Sequence, residues 1–458
     1  MADKANIADF LPEMAEKQPE ATAIVCPWGR RGGSLTYREL NLRSARIARG
    51  LEKVGIDHGV RTVLMVPPGL DLFPLAFGLF RAGAVPVLVD PGIGLKHLKA
   101  CLGNAEPQAF IGIPKAHAAR TLLGWARATA RTKITVGRRL FWGGHTLDQI
   151  EALGSDADPE AVATTGADDV AAVVFTSGST GPPKGVVYRH SNFAAQVVAI
   201  RDAYEVEPGW VNLPTFPLFA LFDPALGMTT VVPDMDPTRP ARVDPRKIIG
   251  PIRDHGVTMM FGSPALLDTV GRWGAEHGVK LESVRCVISA GAPVPPRVIE
   301  RFQSLLREGA AIHTPYGATE SLPVATTSSR EILSETRHTT DRGGGTCVGH
   351  PVPSIEAAII TIDDDPIERW DEQLKVATGE IGEIVVKGPQ VTREYFNASG
   401  HTALAKIEDD GEVRHRMGDL GYFDEKGRLW FCGRKSQRVR TARGTLFTVP
   451  CESVFNTH

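Results

Sequence analysis

The segment at residues 175–185 reads FTSGSTGPPKG and combines hydroxyl, glycine and lysine side chains directly behind the apolar run 170–174. Glycine lets the backbone turn its N–H groups inward without a clash from Cβ. A concave set of N–H donors beside a lysine is typical of an anion site, and polyphosphate is the anion that fits best. Pro182 and Pro183 stiffen the end of the loop, and Lys184 is expected to hold the terminal phosphates as a point charge. The segment therefore predicts phosphate binding.

Two other kinds of functional loop are excluded by the spacing of this segment. Gly185, rather than serine or threonine, follows Lys184, so the loop is not a Walker A motif. The G-x-S-x-G spacing of a nucleophile elbow is absent around Ser177 and Ser179. From these residues alone, an ordinary surface loop stays open as the alternative.

The segment resembles the signature loop of the adenylate-forming superfamily, which includes acyl-CoA synthetases, fatty acyl-AMP ligases, luciferases and the adenylation domains of peptide synthetases. Motifs similar to the others of that superfamily follow in order: SAGAPV at 289–294, YGATE at 316–320, GEIVVKGP at 382–389 and MGDLGYFDEKGRLWFCGRKS at 417–436. Five ordered motifs over about 260 residues make the resemblance specific.

Within the superfamily, the chain is most similar to the β-lactone synthetases of long-chain olefin biosynthesis. The segments that carry this similarity are LPTFPLFALFDPALGM at 213–228 and RLWFCGRKSQRV at 428–439. The resemblance implies that a 2-alkyl-3-hydroxy fatty acid is activated by ATP as its acyl-AMP. The 3-hydroxyl group would then attack the activated carbonyl and give a β-lactone, AMP and pyrophosphate. Other enzymes of the olefin pathway are implied as partners.

The resemblance assigns the motif residues to ATP and Mg²⁺. Lys184, Thr319 and Glu320 are the expected catalytic residues, with Thr319 on the α-phosphate and Glu320 as a ligand of Mg²⁺, a hard cation that prefers oxygen. Tyr316 would stack on adenine, and Asp419, together with Arg434, would hold the ribose hydroxyls. The expected nucleotide-binding residues are Thr176, Ser177, Gly178, Ser179, Thr180, Gly181, Lys184, Gly291, Ala292, Pro293, Tyr316, Gly317, Ala318, Thr319, Asp419 and Arg434.

An apolar segment around residue 220 is expected to bind the acyl substrate. Many CoA-ligating relatives have a histidine where this chain has Ala220, and an alanine cannot assist thioester formation. The expected substrate-binding residues are Phe216, Phe219, Ala220, Phe222, Asp223, Phe261 and Gly262. A packed core position is as compatible with each apolar member of this set. Asp223 is the one carboxylate in the segment, and proton acceptance is a weaker expectation for it.

Two alternative functions stay open at this point. The first is a fatty acyl-CoA or acyl-AMP ligase that acts on a plain fatty acid. The second is a nucleotide-binding scaffold of a pathway complex without catalysis, against which the presence of Lys184, Glu320 and Asp419 argues. One departure from the superfamily pattern is Met417, which stands where threonine is usual and removes a hydroxyl group next to the expected ribose site.

The elements that must position these residues are predicted from apolar runs. Strands at 63–66, 85–89, 170–175, 258–261 and 284–289 lack polar alternation, which is typical of strands buried on both faces in an α/β fold. Helices are predicted at 244–255 and 293–307 between them. Residues 72–89 read as a helix, a turn at 82–83 and a strand. Ile7, Phe10, Leu11 and Met14 predict a surface helix docked on the core.

The predicted organisation is a large α/β domain of mixed and parallel sheets at 1–433, with a small β-barrel-like subdomain at about 346–433. Glycine-punctuated strands at 355–362, 380–386 and 428–431 indicate that subdomain. Residues 433–436 would be the hinge to a small α+β lid domain. About 22 residues follow the hinge. By resemblance, we expect 434–458 to be only the start of the lid, and the remainder would carry a second catalytic lysine.

Composition narrows the class of protein further. The 458 residues carry a formal net charge of −2, which does not favour nucleic acid as a partner. The six cysteines form no CxxC pair and the histidines no HExxH motif, so reduced thiols, a cytoplasmic location and no zinc hydrolase site are expected. The start of the chain lacks the apolar region of a signal peptide, and no membrane span is predicted.

Overall fold

A computed structural model describes residues 6–29, 32–175 and 183–456. The chain forms two compact units. The first unit comprises Met1–Val197, Val206–Asp234 and Tyr395–Ala398, and the second comprises Val198–Glu205, Met235–Glu394 and Ser399–His458. Each unit combines sheets with helices, which confirms the predicted α/β class. The predicted boundaries at 346 and 433 do not coincide with the limits of either unit, and they stay predictions.

The first unit is built on a seven-stranded sheet with the order β7-β6-β5-β3-β4-β8-β9, parallel except for the pair β8–β9. A second sheet of this unit pairs β10, β11, β1 and β2 in that order. The strands are β1 (Thr22–Cys26), β2 (Gly33–Thr36), β3 (Arg61–Met65), β4 (Val85–Val89), β5 (Ala109–Gly112), β6 (Thr132–Thr135), β7 (His145–Thr146), β8 (Val170–Phe175), β9 (Gly185–Arg189), β10 (Val211–Pro214) and β11 (Thr229–Val231).

The helices of this part of the chain are α1 (Phe10–Lys17), α2 (Tyr37–Lys53), α3 (Leu72–Arg81), α4 (Leu95–Ala105), α5 (Pro114–Leu123), α6 (Leu147–Leu153) and α7 (His190–Tyr204). Helix α3 is buried around its whole circumference, which explains its nearly continuous apolar sequence. Its one charged residue, Arg81, donates to the carbonyl oxygen of Pro159 at 2.8 Å and to the side chain of Asn41. Within the described ranges, no helix is long and apolar enough to cross a bilayer.

The second unit contains a larger mixed sheet with the order β17-β18-β20-β21-β16-β15-β14-β13-β12. Its pairs are antiparallel from β17 to β14, whereas β14, β13 and β12 are parallel. The strands are β12 (Met259–Phe261), β13 (Cys286–Ile288), β14 (Ala311–Ala318), β15 (Ser321–Ser328), β16 (Thr346–Pro351), β17 (Glu356–Ile360), β18 (Gly382–Lys387), β19 (Lys406–Asp409), β20 (Glu412–Phe423), β21 (Leu429–Arg434), β22 (Val439–Thr441) and β23 (Gly444–Leu446).

The helices of the second unit are α8 (Arg246–Asp254), α9 (Pro264–Glu276), α10 (Pro296–Gln303), α11 (Ser329–Glu331), α12 (Arg337–Asp341), α13 (Ser399–Ala405) and α14 (Thr448–Asn456). Strand β19 pairs with β20, and β22 with β23. An apolar cluster that includes Val324, Ile384 and Leu429 fills the interior beneath the antiparallel strands. Because β16 pairs with both β15 and β21, the strands after residue 346 continue the sheet that begins at β12.

Candidate functional site

Three of the predicted site segments follow the carboxyl ends of neighbouring parallel strands in the second unit. Gly262 follows β12, residues 289–293 follow β13, and β14 runs through Tyr316 to the turn at Thr319 and Glu320. The register places Phe261 beside Ile288, and Ile288 beside His313. Loops at the carboxyl edge of a parallel sheet are the usual place for ligand sites in α/β proteins. The structure thus brings Phe261, Gly262 and the residues 291–293 and 316–320 to one edge.

The glycine in YGATE is required by close packing rather than by an unusual backbone angle. A Cβ atom at Gly317 would lie 2.7 Å from the carbonyl oxygen of Ser321 and 2.7 Å from Cδ1 of Leu322. The same position is a bulge in the pairing of β14 with β15. A bulge re-aims the neighbouring side chains, so Gly317 controls where Tyr316 and Thr319 point.

Tyr316, Asp419 and Arg434 form one hydrogen-bonded cluster, although 103 residues separate the first two in sequence. The phenol of Tyr316 donates to Oδ2 of Asp419 at 2.7 Å, and Nη1 of Arg434 lies 2.9 Å from Oδ1. Asp419 on β20 is directly opposite Arg434 on β21 in the antiparallel register. The hairpin of β20 and β21 therefore holds the two residues that were predicted to bind ribose.

Burial controls the electrostatics of this cluster. The pKa of Asp419 is raised to about 6 because the carboxyl group is removed from water, while Arg434 and the Tyr316 hydroxyl oppose that rise. Burial and the neighbouring Asp419 carboxylate hold the pKa of Tyr316 well above its ordinary value, so its hydroxyl stays a donor. Oδ1 of Asp419 accepts no well-directed hydrogen bond from the described residues. That oxygen retains acceptor capacity, as a site for sugar hydroxyls requires.

The turn that carries Thr319 and Glu320 is held by two buried residues that sequence reasoning missed, Thr392 and Lys406. The Thr392 backbone N–H and hydroxyl both donate to the carbonyl oxygen of Glu320, at 2.9 and 3.1 Å. Nζ of Lys406 donates to the Thr392 carbonyl oxygen and lies 3.3 Å from its hydroxyl oxygen. The one sequence signal was a lysine inside the otherwise apolar run 403–407.

Lys406 lies in an environment that is unusual for a cation. Its side chain is buried, and burial lowers its pKa to about 7, against the opposing effect of the nearby Glu320 carboxylate. A buried charge is retained only when it is paired or hydrogen-bonded. Lys406 therefore joins the Glu320 turn to Thr392 by both hydrogen bonding and charge.

The residues at this edge fit a metal ion that arrives with a nucleotide. The described part of the chain holds no group of three histidine, cysteine, aspartate or glutamate side chains that could enclose a metal. Mg²⁺ is commonly bound by one or two carboxylates together with phosphate oxygens and water, rather than by a protein cage. The single carboxylate of Glu320 on an edge turn matches that donor set.

The predicted phosphate loop lies mostly outside the described residues. Thr176, Ser177, Gly178, Ser179, Thr180 and Gly181 belong to that part, so their expected roles stay predictions. The segment joins β8 to β9, which pair in antiparallel register with Phe175 opposite Gly185. Gly185 packs against Phe175 so closely that a Cβ atom would lie 2.7 Å from the ring. Nζ of Lys184 lies 5.2 Å from the centre of the Tyr395 ring.

The predicted acyl-binding segment in the first unit is only partly accessible. Ala220 is 1% exposed and Phe222 9%, so both are core positions, whereas Phe216 and Phe219 are half-buried with ring centres 5.1 Å apart. Asp223 is buried, and its carboxylate accepts from the Asn212 amide at 2.9 and 3.0 Å and from the Thr230 hydroxyl at 2.8 Å. Burial raises the pKa of Asp223 to about 7.

A buried ion cluster fixes the residue after Arg434. Arg416 and Glu383 are both 1% exposed and lie 2.7 Å apart, and Nζ of Lys435 lies 3.0 Å from the same carboxylate. Lys435 also donates to the carbonyl oxygen of Asp363 at 2.8 Å. Met417, the departure from the superfamily pattern, is buried in the apolar cluster beneath the sheet. Its side chain therefore fills core space.

Comparison with known proteins defines the class of the molecule. The sequence model for AMP-binding enzymes matches residues 11–396, and the chain belongs to that family. A relative from Stenotrophomonas maltophilia, named olefin beta-lactone synthetase, is 54% identical over 99% of this chain and 83% of its own length. A relative of the same name from Xanthomonas campestris is 53% identical over 100% of this chain and 83% of its own length. Within the AMP-binding enzymes, the chain therefore belongs with the olefin beta-lactone synthetases, which confirms the predicted resemblance.

Solved structures confirm the fold. The amide bond synthetase McbA from Marinactinospora thermotolerans aligns with a TM-score of 0.78 over 98% of this chain and 84% of that one, at 22% identity. The N-terminal domain of FACL13 from Mycobacterium tuberculosis aligns with a TM-score of 0.76 over 94% of this chain and 99% of that one, at 23% identity. At this identity the likeness concerns the fold alone.

Proposed function

We propose that the chain is an ATP-dependent ligase that converts a 2-alkyl-3-hydroxy fatty acid into its acyl-AMP and then into a β-lactone. The observation that carries the nucleotide part is the Tyr316–Asp419–Arg434 cluster in the same unit as the Glu320 turn. The two olefin beta-lactone synthetases that are 53–54% identical to the chain support the second step. The proposed reactants are ATP with Mg²⁺ and the hydroxy acid, and the proposed location is the cytoplasm.

The proposed first step forms the acyl-AMP. A carboxylate oxygen of the substrate attacks the α-phosphorus of ATP, and the bond to the pyrophosphate group breaks. Asp419 and Arg434 would hold the ribose, Tyr316 the adenine, and Thr319 the α-phosphate in line with the attacking oxygen. Lys184 and the glycine-rich loop would hold the outer phosphates. Mg²⁺ bound by Glu320 would neutralise charge on the phosphate oxygens.

The proposed second step closes the ring. The 3-hydroxyl oxygen attacks the carbonyl carbon, the bond from that carbon to the phosphate oxygen breaks, and AMP leaves as the hydroxyl proton is lost. The reaction is intramolecular, so no second substrate has to be brought into position. Ala220 supports this route, because a buried alanine offers no acid or base to an external thiol. Asp223 is buried and accepts three hydrogen bonds from Asn212 and Thr230, so a structural role fits this carboxylate better than proton transfer.

The decisive experiment compares two acids. The protein is incubated with ATP, Mg²⁺ and CoA and with either a 2-alkyl-3-hydroxy acid or its 3-deoxy analogue, and the products are identified by NMR and mass spectrometry. We expect pyrophosphate with both acids and β-lactone only with the hydroxy acid. Thioester from both acids without lactone would show a CoA ligase instead. The absence of pyrophosphate with either acid would show a nucleotide-binding scaffold.

A further inference from the structure

Residues 114–145 of the first unit carry an excess of positive charge that the reaction does not require. This stretch contains seven lysine and arginine residues and no aspartate or glutamate, although the whole chain has a net charge of −2. The remainder of the chain therefore carries a net charge of −9. A basic stretch within an otherwise acidic protein raises the positive potential around it.

Within the described ranges, none of these seven cations forms an ion pair with a carboxylate. Arg120 and Lys133 donate instead to backbone carbonyl oxygens, those of Ala130 at 3.3 Å and Trp142 at 2.6 Å. Arg139 donates to the carbonyl oxygen of Gly144. Elsewhere arginines such as Arg43 and Arg428 contact two or more acidic side chains. Within the described residues, the positive charge of 114–145 is therefore not offset by close ion pairs.

Large apolar side chains are exposed in the same stretch. Leu122 is 85% exposed, Leu123 43%, Leu140 46% and Phe141 80%. They are four of the ten large apolar residues that are exposed in the described part of the chain. Exposed apolar side chains cost free energy in water, and a patch of them is typical of an interaction site.

Packing joins the helical and loop parts of this stretch. The ring of His117 on α5 stacks on buried Trp142 with centres 5.3 Å apart, and Trp142 donates to the Thr135 hydroxyl at 2.9 Å. Trp142 thereby packs the loop before β7 against α5, and the side chain of its neighbour Phe141 is exposed. The basic apolar surface consists of exposed residues on two packed segments: Lys115, Leu122 and Leu123 on α5, and Arg138, Arg139, Leu140 and Phe141 in the loop that Trp142 joins to it.

We propose that the basic apolar surface docks the protein on an anionic lipid bilayer. Exposed leucine and phenylalanine side chains insert among the first acyl carbons, while arginine and lysine contact the lipid phosphates. The combination favours lipid over an acidic protein, because apolar side chains on a helix end and a loop can enter a fluid interface without a preformed complementary pocket. A membrane is also where a long-chain acid partitions, and this last point rests on the proposed function.

The test is flotation of the full chain with vesicles of phosphatidylcholine alone or with about one-third phosphatidylglycerol. We expect binding to the anionic vesicles that weakens as salt increases. In Arg138→Gln/Arg139→Gln we expect binding to fall by about 25-fold, because each basic residue at an anionic surface contributes roughly fivefold. Phe141→Ser should also weaken binding by about tenfold or more, since it removes an inserted aromatic ring.

Matched variants in other places separate this surface from general charge and hydrophobicity. Arg297→Gln/Arg307→Gln removes two exposed arginines of the second unit, and Phe455→Ser removes a phenylalanine that is 79% exposed. Both should bind vesicles like the wild type. All variants should unfold at the wild-type temperature, and pyrophosphate release with a short, water-soluble hydroxy acid should be unchanged. If the wild type releases no pyrophosphate with that acid, the proposed function is contradicted. The vesicle result is independent of that outcome.

Three results would overturn the proposal. The first is no binding of the wild type to anionic vesicles at low salt. The second is equal binding by the wild type and Arg138→Gln/Arg139→Gln. The third is binding to soluble polyglutamate as tight as to the vesicles and insensitive to Phe141→Ser, which would assign the surface to an acidic protein.

Discussion

Asp223 shows how a single buried carboxyl group couples stability to pH. Its pKa is raised to about 7, so the folded protein binds this proton more tightly than the unfolded chain does. The stabilisation is complete below the ordinary carboxyl pKa and is lost as pH rises from about 4 through about 7. Removing the ionisable group should therefore help the folded state most at high pH.

We expect the unfolding free energy of Asp223→Asn, relative to wild type, to increase by about 2–4 kcal/mol between pH 5 and pH 8. Denaturant titrations of both proteins at these two pH values measure the change. Asp254→Asn, at an exposed position, is the control and should show no such trend. A relative stability of Asp223→Asn that stays constant with pH would mean that the carboxyl group is not protonated in the folded protein.

Asp419 is the residue on which the nucleotide assignment depends most. Asp419→Asn should weaken ATP binding by about 10- to 100-fold, because hydrogen bonds to charged groups contribute about 1.5–3 kcal/mol. Tyr316→Phe removes the donor to Oδ2 and should also raise the pKa of Asp419, since the phenol lowers it. Isothermal titration of each variant with ATP measures its affinity for the nucleotide. If Asp419→Asn binds ATP as tightly as the wild type, the ribose does not lie at this residue.

At the scale of elements, the Glu320 turn depends on a segment about 70 residues further along the chain. Lys406→Met removes the ammonium group that donates to Thr392. The buried carbonyl oxygen of Thr392 then lacks this donor, which costs free energy of folding. We expect a lower adenylation rate and about a tenfold higher Mg²⁺ requirement, in the same direction as Glu320→Ala. Pyrophosphate release at a series of Mg²⁺ concentrations provides the measurement.

The same network provides graded controls. Thr392→Val loses the hydroxyl contact with Glu320 but keeps the N–H contact, and Thr392→Ser keeps both. Activity should therefore rank Thr392→Ser above Thr392→Val, with the exposed control Lys99→Met equal to wild type. A wild-type Mg²⁺ requirement in both Lys406→Met and Thr392→Val would disprove the positioning role.

Local elements were predictable where an apolar run has sharp limits. Strands β4 and β8 have the predicted bounds. The apolar stretch 72–89 forms a helix (α3, Leu72–Arg81) followed by a strand (β4, Val85–Val89), as predicted. The helix predicted at 293–307 is shorter, Pro296–Gln303. Pro295 has an extended backbone and Pro296 starts the helix, where a missing N–H costs nothing.

Contacts between distant segments were not predictable from local pattern. The Tyr316–Asp419 bond joins β14 to β20, and the contact of Thr392 with the Glu320 carbonyl oxygen joins two segments 72 residues apart. Tyr316, Asp419 and Arg434 were found because the chain resembles a known family, whereas Lys406 belongs to no recognised motif. For Ala220 and Phe222 the sequence left substrate contact and core packing equally open, and in the structure both side chains pack into the core.

At the scale of the whole molecule, the six cysteines are free and five are buried. Burial raises the pKa of Cys101 and Cys347 to about 11 and that of Cys286 and Cys432 to about 12, and it also raises the pKa of Cys26. We expect iodoacetamide to label the native protein at Cys451 alone at pH 7.5, and all six sites after denaturation, as measured by peptide mass spectrometry. Rapid native labelling at Cys286 or Cys432 would contradict this.

The concealed thiols matter for a catalyst whose proposed product is a strained acylating agent. A four-membered lactone opens readily on thiolates, and an enzyme that displayed them would be modified by its own output. Five of the six sulfur atoms are buried, and burial favours their protonated form, so the proposed lactone would meet few thiolates on this protein.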